Sequence, residues 1–90
     1  MSDDRLSLEE LKGAWKQRLE EAERRLADAR DDVRNVEAEL TAESIPSPDV
    51  HYAYQRALRI EKLALERYAK VLVIFKDLVL HGTIPEEKAG

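Results

Sequence analysis

The sequence predicts an all-α fold in which two long antiparallel helices form a helical hairpin. Three observations predict it: apolar residues recur every three or four positions, one Pro- and Ser-containing segment interrupts that pattern, and the 90 residues include only three Gly and three Pro. Spacing by threes and fours is the period of a helix and not of a strand. Few Gly and Pro with 38% charged residues are typical of long helices. We expect one domain over residues 1–90.

The first helix is expected over about residues 7–43. Ser7 and Glu10 fit a capping box, in which each side chain accepts the backbone N–H of the other residue, and Leu6 and Leu11 fit the accompanying hydrophobic staple. The apolar residues cover an arc of only about 100° on a helical wheel, and the rest of the helix is charged. They are Leu8, Leu11, Trp15, Leu19, Ala22, Leu26, Ala29, Val33, Val36 and Leu40.

A turn at residues 44–48 is expected to separate the helices. Pro46 disfavours a helical conformation at the residue before it and therefore ends the first helix. Ser47 is a favourable N-cap, Pro48 suits the first helical position, and Asp49 suits the positive end of a helix. A connection this short makes consecutive helices antiparallel neighbours.

The second helix is expected over about residues 48–81, with Gly82 as its left-handed C-terminal cap and a short tail over residues 82–90. Its apolar arc is about 160° wide, which is more than one neighbouring helix can cover. The stretch KVLVIFKDLVLHGTIP, residues 70–85, is apolar almost all round. We expect a second copy of the chain to cover this helix in a four-helix bundle. Alternatively, a heterologous protein covers this helix, or the chain is a monomer whose own tail covers it.

The predicted interface lies on the second helix and combines aromatic and aliphatic residues: Tyr54, Leu58, Leu65, Tyr68, Leu72, Phe75 and Val79. Glu61 falls within this apolar face, and antiparallel pairing would bring it near Arg30 and Arg34. A buried carboxylate is costly unless it is paired. We interpret Glu61 as a buried polar residue that sets helix register. A solvated position at the interface edge and a functional carboxylate remain alternatives.

The charge distribution argues against nucleic-acid binding. The net charge is −4, whereas phosphate contact requires a basic face. Residues 1–43 hold thirteen acidic and eight basic residues, while residues 44–81 hold four acidic and six basic ones. We therefore expect the two helices to attract each other. A basic strip on the outer side of the second helix is interpreted as a solvated face or as a partner for acidic residues: Arg56, Arg59, Lys62, Arg67 and Lys70.

The residue types predict no catalytic site, cofactor site or metal site. The chain has no Cys and no Glu-x-x-His motif, and its two His residues lie thirty positions apart, roughly 45 Å along one helix. The serines are explained by caps and the turn. The acidic N-terminus does not resemble a signal peptide. The longest apolar run, Val71–Phe75, is far shorter than the roughly 20 residues of a membrane span. We expect a soluble cytoplasmic protein without a membrane partner.

One resemblance suggests a different kind of assembly. Pro46-Ser47-Pro48, followed by Ala53-Tyr54-Gln55 and later by Lys76-Asp77, resembles the turn and second helix of type III secretion needle subunits. The resemblance covers less than half of the chain and implies a small hairpin that polymerises. The first helix is more charged than such a subunit implies, and about ten residues follow where that family ends.

These observations favour a non-catalytic protein–protein interaction module that acts through a helical-bundle surface, as a small adaptor, scaffold or regulatory subunit. A homodimer is the expected partner state. The alternatives are a structural subunit of a helical polymer and a dedicated subunit that covers a heterologous protein.

Overall fold

The protein is a hairpin of two helices. The computed structural model describes residues 7–42 and 47–85. Helix α1 spans Leu8–Ala42 and helix α2 spans Pro48–His81, and the described residues contain no strand. The helices have 35 and 34 residues, so each is about 50 Å long. The predicted all-α fold with two packed helices is therefore confirmed.

Capping residues determine where the described helices begin and end. The Glu10 N–H donates to Ser7 Oγ at 3.2 Å and the Ser7 N–H donates to Glu10 Oε1 at 3.4 Å, which is the predicted capping box. At the start of α2, Ser47 Oγ accepts the Val50 N–H at 3.3 Å. Gly82 ends α2 in the left-handed region, with φ 64°. Leu6 of the predicted staple and Pro46 of the predicted turn lie outside the described residues.

Contacts at both ends of the hairpin fix the antiparallel register. The Tyr54 hydroxyl, near the start of α2, donates to Glu37 Oε2, near the end of α1, at 3.4 Å. At the other end of the hairpin, Trp15 packs with Val71 and Leu78. We call this second end the open end, because it lies opposite the connection between the helices.

The core is a narrow seam between the helices. The buried residues of α1 are Trp15, Ala22, Leu26, Ala29 and Val33, and those of α2 are Ala57, Val71 and Leu78. At the open end, Leu11, Leu19, Ile74 and Phe75 pack around Trp15, Val71 and Leu78. Trp15 is thus buried in this cluster, and the half-buried Phe75 packs against it. Leu78 is the only large side chain among the described residues that is fully buried.

Helix α2 faces α1 with a regular repeat. Nine of its eleven half-buried and buried positions alternate in steps of four and three residues, which is the heptad spacing of a two-helix seam. These nine are Val50, Tyr54, Ala57, Glu61, Ala64, Tyr68, Val71, Phe75 and Leu78, and the other two are Leu72 and Ile74. The seam occupies one narrow face of α2, so part of the wide apolar arc of that helix lies outside it.

Candidate interaction surface

The apolar residues of α2 that α1 leaves uncovered form a second, separate row. Leu58, Leu65, Leu72 and Val79 are spaced at intervals of seven residues and lie immediately beside the seam. Leu58, Leu65 and Val79 are 38%, 45% and 44% exposed, and Leu72 is half-buried. We call these four residues the aliphatic stripe. Spanning 21 residues, the stripe is about 32 Å long.

The predicted interface residues thus divide into two groups. Tyr54, Tyr68 and Phe75 are half-buried on the seam, where they pack beside α1 of the same chain. The other four are the members of the aliphatic stripe. The sequence pattern merged the two groups, because a seam and a row beside it give one continuous arc on a helical wheel. Assigning each apolar residue of α2 to a heptad position would have distinguished the seam residues from the stripe residues.

Charged residues border the aliphatic stripe on both sides. On the outer side of α2, Lys62 and Lys76 are exposed, and neither forms an ion pair with another described residue. On the side of α1, Glu23 shares a shallow groove with Leu65 and Tyr68. Glu37 lies two heptads further along the same row of α1 and is exposed. The stripe therefore lies between a basic row of α2 and a row of α1 that contains Glu23, Arg30 and Glu37 in alternation.

A second apolar area lies on the other side of α2. Leu63 and Ile60 are 65% and 46% exposed and line a groove with Ala22 and Ala29 of α1. This groove carries both signs of charge on its rims, among them Asp28, Asp32, Arg25 and Arg67. The sequence pattern did not identify Leu63 as a surface residue of interest, because Leu63 lay outside the predicted interface. Its position on the groove follows from the small size of the alanines opposite.

Glu61 is not buried within one hairpin. Its side chain is half-buried on the seam, and no described polar or charged side chain is buried. Glu61 forms no hydrogen bond or ion pair with Arg30, Arg34 or any other described residue. Within the single chain Glu61 is therefore neither fully buried nor paired, and its burial in an assembly stays a prediction. A long side chain on a seam of only two helices retains access to water at the edge of the seam.

At the apolar end of α2, the side that faces away from α1 is uncovered as well. Val73 and Leu80 are 58% and 67% exposed, and Ile84 of the tail is 64% exposed. Ile84 therefore buries little of its own surface, so residues 82–85 give this end little cover. Over residues 7–42 and 47–85, no group of three or more His, Asp or Glu side chains is placed to hold a metal ion. Neither described helix is long and apolar enough to cross a membrane.

Comparison of the chain with protein-family models, with curated proteins and with solved structures gives no match.

Proposed function

We propose that this protein is a non-catalytic protein–protein interaction module, a small adaptor, scaffold or regulatory subunit that homodimerises into a four-helix bundle. The observation that carries the proposal is the aliphatic stripe, a regular row of large apolar residues that the chain's own α1 leaves partly in water. Burial of a Leu or Val side chain contributes about 1.5–3 kcal/mol when it is complete. Four such residues per chain offer enough apolar surface to sustain association after its entropic cost.

The small size of the core supports the same proposal. A domain of this length buries only about 60% of its unfolded surface and is marginal unless association or idealised packing helps. Eight hydrophobic side chains among the described residues are buried, and three of them are alanines. Because a bundle adds buried surface to both copies, association and folding stabilise each other.

The groove beside Ile60 and Leu63 favours an alternative function. It lies on the other side of α2 from the aliphatic stripe, so it stays open when two copies pair through the stripe. Its exposed apolar residues suit a heterologous protein, for which the chain would be a dedicated subunit. Two apolar surfaces on opposite sides of one helix also suit a polymer-forming subunit, because a head-to-tail contact that does not close produces filaments.

Light scattering over a wide range of protein concentration tests these functions, with circular dichroism as the measure of helicity. We expect a constant mass of two chains of 10.3 kDa each and high helicity. A helical monomer would contradict the homodimer. A mass that grows with concentration would favour the polymer subunit, and a poorly helical monomer would favour the dedicated subunit.

A further inference from the structure

We draw no further inference here: the strongest candidate, the aliphatic stripe of α2, belongs to the surface already described, and because the row of α1 beside it alternates in charge, nothing in the structure shows what covers it.

Discussion

The open end and the middle of the hairpin use the same two helices in different ways. At the open end, large side chains from both helices interlock, with Trp15, Val71 and Leu78 at 7%, 5% and 0% exposure. In the middle, the seam is narrow because it includes alanines on both helices: Ala22, Ala29, Ala57 and Ala64. The leucines that α2 contributes to this middle section lie beside the seam and are exposed, as at Leu58, Leu63 and Leu65.

The difference indicates a division of roles along the hairpin. Large side chains packed together at the open end remove apolar area from water and so stabilise the single chain. Alanines in the middle let the helices approach closely but remove little apolar area from water. The exposed leucines there are the surface to which we assign the proposed association. The chain thus combines a section that holds its own fold with a section suited to association.

The largest expected effect comes from removal of the aromatic side chain at the open end. Trp15→Ala should destabilise the protein by about 3–5 kcal/mol, because it deletes the largest side chain of the buried cluster and leaves a cavity. Urea unfolding followed by circular dichroism measures the change. Leu80→Ala is the control, since Leu80 is 67% exposed, and its effect should stay within about 0.5 kcal/mol. Equal effects of the two substitutions would contradict the assignment of the core.

A larger residue in the seam tests whether the alanines hold the helices close together. Ala57→Leu should destabilise the hairpin by about 1–3 kcal/mol, because Ala57 is 7% exposed and overpacking forces the helices apart. The same unfolding measurement applies. Ala53→Leu, at an exposed position one turn earlier, should be nearly neutral. Stabilisation by Ala57→Leu would show that the middle of the seam has spare room.

Removal of the carboxylate from the seam should strengthen the middle section. Glu61→Leu should raise the free energy of unfolding by about 1–2 kcal/mol, because it replaces a half-buried, unpaired charge with an apolar side chain. Glu66→Leu removes the same charge from an exposed position, so its effect on stability should be small. A loss of stability on Glu61→Leu would indicate that the carboxylate has a partner in the assembled protein.

The smallest effect is expected at the first turn of α1. Ser7→Ala should cost about 1 kcal/mol, because it removes the hydroxyl that caps the Glu10 N–H. Amide hydrogen exchange should accelerate at residues 8–11 and remain unchanged in the middle of α1. Uniform acceleration along the helix would mean that the cap stabilises the whole hairpin and not the open end alone.

Local signals were sufficient to predict the two helices. The Ser7 capping box, the Ser47 N-cap and the Gly82 C-cap act through their own backbone groups, so a short stretch of sequence determines each of them. The apolar spacing of α1 likewise identified its face, because that helix has only one apolar face. These features needed no knowledge of what the helices pack against.

The division of the α2 surface depended on tertiary packing. A wheel gives Leu65 and Tyr68 the same apolar status, yet Tyr68 faces α1 and Leu65 lies beside the seam. The small alanines of α1 determine which of the two neighbouring rows of α2 faces α1. The sequence of α2 alone does not contain that information. Glu61 was expected to be buried for the same reason, since a wheel shows its apolar neighbours but not the open edge of a two-helix seam.

The antiparallel connection of α1 and α2 has a consequence for anything attached to this chain. Ser7 and Pro85 both lie at the open end, so attachments at either position project from the same end of one hairpin. Two groups attached at these positions would therefore be held side by side at one end of a hairpin about 50 Å long.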